Sequence, residues 1–135
     1  MKEKEMRSES PNKKNKPELS FCELAVMMCV WDAGTEECTC EEITKTLKNK
    51  YNMIYKTTTI YTYLKNLKEK GFISSKRRGV YLFYATRSKE EYMLTDMDRI
   101  KKIWFHNDEM KMLTSLIDLF RLTDREKELL RKKLS

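Results

Sequence analysis

Apolar side chains recur along most of this chain at three- and four-residue intervals, the spacing that places them on one side of an α-helix. Phe21, Leu24, Met28 and Trp31, with Met27 beside them, mark a first helix, which Ser20 and Glu23 open as a capping box and Gly34 ends. Ala25, Val26, Cys29 and Val30 carry the apolar surface round most of that cylinder, so it is expected to be covered on more than one side. Thr39-Cys40-Glu41-Glu42 repeats the capping pattern, and Ile43, Leu47 and Tyr51 give a second, short helix to about Lys50. A third is expected from about Thr57 to Lys70, with Ile60, Leu64 and Leu67 inward and Gly71 as its stop.

The pattern then changes. Phe72 to Lys76 and Val80 to Tyr84 read as two strands rich in β-branched and aromatic residues, joined by Arg77-Arg78-Gly79 into a hairpin with a cationic tip. Ser88-Lys89-Glu90-Glu91 caps a long helix to about His106, carrying Met93, Met97, Ile100, Ile103 and Trp104. A helix from about Asp108 bears Met110, Leu113, Leu116, Ile117 and Phe120, and a last one capped at Thr123 bears Leu129, Leu130 and Leu134. The chain is expected to be mainly α with a small β-hairpin: a polar, disordered basic arm at 1–17, a domain at 18–87 and a helical region at 88–135. The helices of the last region have apolar faces and no further segment to pack on, so those thirteen residues are assigned to a homodimer interface. A monomer whose last helices fold back on the first domain is the alternative.

At 135 residues, with 40% hydrophobic and 36% charged positions, the chain is too short for a multidomain enzyme. Its 3 Gly and 2 Pro leave little for a β-sandwich or a phosphate-cradling loop. No run is apolar enough for a membrane span or a secretory signal, so a soluble, cytoplasmic protein is expected. The net charge of +7 is unevenly spread. Residues 18–43 hold seven acidic side chains and no basic one, whereas in 44–78 ten Lys and Arg face Glu69 alone. That local excess is the footprint of a polyanion site.

Three helices followed by a hairpin, with a polar cationic face on the third helix, is the order of a winged helix-turn-helix. A major groove about 12 Å wide admits one helix, whose outward side chains then meet base edges. Thr58, Thr59, Tyr61, Thr62, Lys65 and Asn66 are the candidate base contacts; threonine offers a hydroxyl for hydrogen bonding and a methyl for thymine. Lys56, Lys68, Lys76, Arg77 and Arg78 are the candidate phosphate contacts, which hold the duplex without reading it. The alternative is a protein-interaction module that offers the same basic face to an acidic partner.

Leu19-Ser20-x-x-Glu23-Leu24-x-x-Met27-x-x-Val30-Trp31, then Thr59-Ile60-Tyr61-Thr62-x-Leu64-x-x-Leu67-x-x-Lys70-Gly71-Phe72-Ile73, then Ser88-x-Glu90-Glu91-Tyr92, resembles the penicillinase and methicillin-resistance repressor family, which includes copper-responsive members. The resemblance spans about residues 19–134. It implies a homodimeric repressor that binds inverted-repeat operators in double-stranded DNA and controls resistance or stress genes. Two positions depart from the family pattern. Tyr61 stands where a basic or polar residue is common, and Arg99-Ile100 stands where β-lactam-responsive members are cleaved at Asn-Phe. The inducer, and any upstream sensor or protease, is therefore not carried over.

Cys22 and Cys29 are read as small buried hydrophobes, and Cys38 and Cys40 as exposed, with a redox or metal input through the latter pair as the alternative. The copper-responsive relatives carry their paired cysteines near the C-terminus, where this chain has none. No metal site or cofactor is expected, since His106 is the single histidine and reads as a helix-end residue. No nucleophile, metalloprotease or phosphate-loop motif is present, so the chain is not expected to be an enzyme.

Overall fold

The computed structural model describes residues 18–34 and 36–135. The arm expected at 1–17 lies outside them. Ser20 accepts from the Glu23 amide while Glu23 Oε1 accepts from the Ser20 amide, and this box opens α1 (Phe21–Asp32). An identical exchange between Thr39 and Glu42 opens α2 (Cys40–Tyr51), which Asn52 ends in the left-handed conformation. α3 (Thr57–Glu69) follows Lys56 and stops before Gly71, whose φ of +82° suits a residue without Cβ. β1 (Ile73–Arg78) and β2 (Val80–Ala85) then form an antiparallel hairpin. α4 (Lys89–Phe105), α5 (Glu109–Leu119) and α6 (Asp124–Leu134) complete the chain. Three helices, a two-stranded wing and further C-terminal helices make this a winged helix-turn-helix with a helical extension.

The core lies where α1, α2 and α3 meet the base of the wing. Met27, Ile43, Leu47, Ile60, Leu67 and Phe72 are fully enclosed there. The α3 stripe faces inward as its spacing predicts. The inner side of α1 differs from the expectation: Ala25, Val26, Met27, Cys29 and Val30 are buried, whereas Phe21 is 78% exposed. A helix apolar on nearly every side carries no periodic signal for its inner side, so the neighbouring helices decide it. The hairpin is also longer than expected. Arg77 and Arg78 are strand residues opposite Tyr81 and Val80, and Gly79 alone turns the chain.

One buried polar group sits in this core. Glu23 is 5% exposed, and Lys70 Nζ donates to its Oε1 at 2.7 Å and to the Glu18 carbonyl at 2.9 Å. The end of α3 is thereby tied to the start of α1. Burial pushes the Glu23 carboxyl up, but Lys70, the Ser20 amide and Asn66 outweigh it and hold its pKa below the ordinary 4.5.

The chain divides into two compact units between Tyr92 and Met93. In the second unit, His106 and Asn107 take left-handed φ values of 52° and 67° and end α4, and Asp108 caps α5 through the Lys111 amide. Thr123 and Glu126 form the box that opens α6. Neither α5 nor α6 has a buried residue. Among the described residues no helix is long and apolar enough to cross a membrane.

Removing the Lys70 ammonium by Lys70→Met leaves a buried carboxylate uncompensated and should cost about 3–5 kcal/mol in urea unfolding at pH 7. Because the folded pKa of Glu23 is depressed, its contribution is present above pH 4.5 and is lost as the pH falls through the folded value. The stability gap between the native protein and Glu23→Gln should close in that acid range.

Candidate nucleic-acid interface

α3 turns by about 100° per residue. With Ile60, Leu64 and Leu67 inward, the opposite side is carried by Thr58, Thr62, Lys65 and Glu69, all exposed. Thr62 donates its hydroxyl to the Thr58 carbonyl at 3.1 Å, which leaves its oxygen lone pairs and methyl turned outward. Tyr61 and Lys68 occupy the flank next to the wing. The Tyr61 ring meets Phe83 edge-on at 6.3 Å and its hydroxyl bonds the Cys40 thiol, while Lys68 Nζ donates to Ser75 Oγ at 3.0 Å. Thr59 and Asn66 lie on the other flank, half-buried, with Asn66 bonded to Glu23. Of the six candidate base contacts, Thr58, Thr62 and Lys65 therefore share one open surface, and Thr59, Tyr61 and Asn66 border it.

The wing adds charge beside this surface. Arg77 and Arg78 are exposed, and the Arg77 guanidinium lies 5.1 Å from the centre of the Tyr81 ring, a cation–π contact that holds it in place. Lys56, exposed, precedes the first turn of α3. Part of the basic excess is used internally: Lys50 pairs with Asp32 at 3.2 Å, Lys70 with Glu23, and Lys76 with Glu37. Lys76, a candidate phosphate contact, thus has an intramolecular partner. Among the described residues Lys45, Lys48, Lys56, Lys65 and Arg78 make no ion pair.

A cleft of about 600 Å³ opens between the first turn of α2, the start of α3 and β2, with Lys45, Thr57, Tyr61 and Tyr81 on its walls. Lys45 and Thr57 were not singled out from the sequence. The signal for Lys45 was available, since it lies two residues after Ile43 and two before Leu47, off the buried side of α2.

Cys38 and Cys40 correct the sequence reading. Both are buried, at 5% and 7% exposure. Cys38 exchanges two backbone hydrogen bonds with Phe83, at 3.0 and 2.8 Å, which pins the loop before α2 to the wing as a third, one-residue strand. Burial pushes the Cys38 thiol up to about 11, helped by Glu42, and pushes Cys29 up to about 12, helped by Asp32. Burial also raises Cys40, against bonds from Thr44 and Tyr61. Among the described residues no three His, Cys, Asp or Glu side chains are grouped to hold a metal.

In comparisons with known proteins, residues 19–135 match the family described as penicillinase repressor. No curated protein matches.

Thiols held this far from ionisation are poor nucleophiles. At pH 8, Cys29 and Cys38 should react with a maleimide at least roughly a hundredfold more slowly in the native protein than in urea. Mass spectrometry of the labelled peptides reads this out; equal rates in both states would refute the burial described.

Proposed function

The chain belongs to the penicillinase repressor family and is a DNA-binding transcriptional regulator, and from that premise we propose that it is a sequence-specific repressor acting as a homodimer on an inverted-repeat operator. The observation that carries the reading is the single open surface of Thr58, Thr62 and Lys65, flanked by Lys56, Arg77 and Arg78. Threonine hydroxyls and methyls discriminate base edges, whereas the flanking cations bind any phosphate backbone. Thr59, Tyr61 and Asn66 border the reading surface, and Lys68 and Lys76 support it from the wing side. The resemblance to resistance regulators makes antibiotic-resistance or stress genes the proposed targets, in the cytoplasm.

Dimerisation is supported by what the second unit leaves uncovered. Met93, Met97, Ile100, Ile103 and Trp104 on α4 are exposed, as are Met110, Leu113, Ile117, Phe120, Leu129, Leu130 and Leu134 beyond it; Leu116 is half-buried. An apolar groove of about 440 Å³ runs between α5 and α6, lined by Leu113, Leu116, Ile117, Phe120, Leu129 and Leu130. So much apolar surface on a short helical unit is stable in water when a second copy covers it. Two-fold pairing then presents two α3 helices to half-sites one DNA turn or a multiple apart, about 34–36 Å per turn.

Equilibrium binding to the duplex upstream of its own gene, against random duplex at moderate salt, tests the reading. Operator should be preferred, and equal affinity would refute it in favour of a basic face for an acidic protein. Thr62→Ala should lose roughly 1–3 kcal/mol of that preference. Joint replacement of Arg77 and Arg78 by Ala should instead weaken all duplexes alike and flatten the log–log salt slope by about 1.8. Sedimentation should show a dimer at micromolar concentration, and Leu113→Glu with Leu129→Glu should shift it to monomer. A monomeric native protein with undiminished operator affinity would contradict the pairing.

A further inference from the structure

Between the wing and α4 lie Thr86, Arg87 and Ser88, a length that commonly forms a loose tether. Here it is fastened. The Thr86 amide donates to the Phe72 carbonyl at 2.8 Å. The Arg87 carbonyl accepts from the Trp31 indole at 2.9 Å, and the Arg87 guanidinium lies 4.5 Å from the centre of the Phe72 ring. The first turn of α4 is then held by Tyr92, which is 3% exposed. Its ring meets Phe72 edge-on at 5.2 Å and Trp31 at 6.3 Å, and its hydroxyl accepts from the Leu19 amide at 2.8 Å. Tyr92 is the last residue of the first compact unit, and the same helix continues into the second.

We propose that Tyr92 is a positioning residue for operator choice: by locking the first turn of α4 to the winged helix, it makes the protein discriminate between operators by the distance between their half-sites. The inference rests on the dimeric repressor reading above. A free linker of three residues has a reach of roughly 10 Å and unrestricted rotation. One added base pair moves a half-site by about 3.4 Å and turns it by about 35°. A loose junction absorbs that change, whereas a junction fixed by hydrogen bonds and ring contacts on three sides converts it into lost contacts. Tyr92 touches no DNA in this account; it acts through the helix that it anchors.

The test uses full-length protein and duplexes built from the half-site that the protein recovers from a random pool. One set carries two half-sites at spacings varied by single base pairs, and one duplex carries a single half-site. Native protein should bind its best spacing roughly tenfold or more tightly than spacings two base pairs away. Tyr92→Phe keeps the ring and removes the acceptor for Leu19; it should cut that ratio to about threefold or less while single-half-site affinity stays within about twofold. Trp31→Phe removes the bond to the Arg87 carbonyl and carries the same expectation, so failure of one variant to fold leaves the other decisive. Spacing ratios unchanged in both variants would overturn the proposal, as would parallel loss of single-site and paired-site binding, which a merely structural role gives. A native protein that recovers a half-site but binds every spacing equally would overturn this proposal alone. Recovery of no sequence would overturn the repressor reading and this proposal with it.

Discussion

The burial of Ile60, Leu64 and Leu67 against α1 and the wing is the contact on which the rest of the structure depends. A helix has one rotation about its axis, and three enclosed side chains at i, i+4 and i+7 fix it. Thr58, Thr62 and Lys65 then have one place to be, outside. The same contact sets the neighbours: Lys70 at the end of α3 reaches the capping carboxylate of α1, and the Tyr61 flank meets Phe83 on the wing. Disturbing the stripe would therefore move the reading surface, the ion pair and the wing together. Recognition by α3 is inherited from core packing.

Electrostatics in the winged helix works in two directions. The acidic stretch 18–43 folds onto part of the basic stretch 44–78, and Asp32, Glu23 and Glu37 each take one lysine. Exposed pairs such as Lys50 with Asp32 add little to stability, while the enclosed Glu23–Lys70 pair is costly to break. The effect on function is one of sorting. Cations with internal partners hold the fold, and Lys56, Lys65, Arg77 and Arg78 remain to create a positive field beside the threonines. The second unit has the opposite economy: its charges are balanced, and its surplus is apolar surface that its own three helices cannot enclose.

How much of this was legible in the sequence follows from the range of each interaction. The capping boxes at Ser20, Thr39 and Thr123 span three residues, so their spacing alone announced them, and the α3 stripe was equally local. The burial of Cys38 was invisible because it depends on Phe83, forty-five residues away, and a Cys-x-Cys pair before a helix looks like a solvent-facing turn. Phe21 was misplaced because α1 is apolar on too many sides for periodicity to choose one. The sequence placed Tyr61 and Asn66 on the polar side of α3, but their partners, Cys40 and Glu23, come from other helices. Net charge showed where a polyanion would bind, and long-range pairing decided which lysines were left to bind it.

The claim at the centre of this account is that the outward face of α3 reads base sequence in two-fold register. Selection of duplexes from a random pool by the native protein and by a Thr58→Ala, Thr62→Ala variant tests it most directly. The account predicts that the native protein enriches an inverted repeat with half-site centres one helical turn or a multiple apart, and that the variant loses base preference at matching positions of both half-sites. Enrichment of no sequence, or of a motif that the variant recovers unchanged, would contradict it.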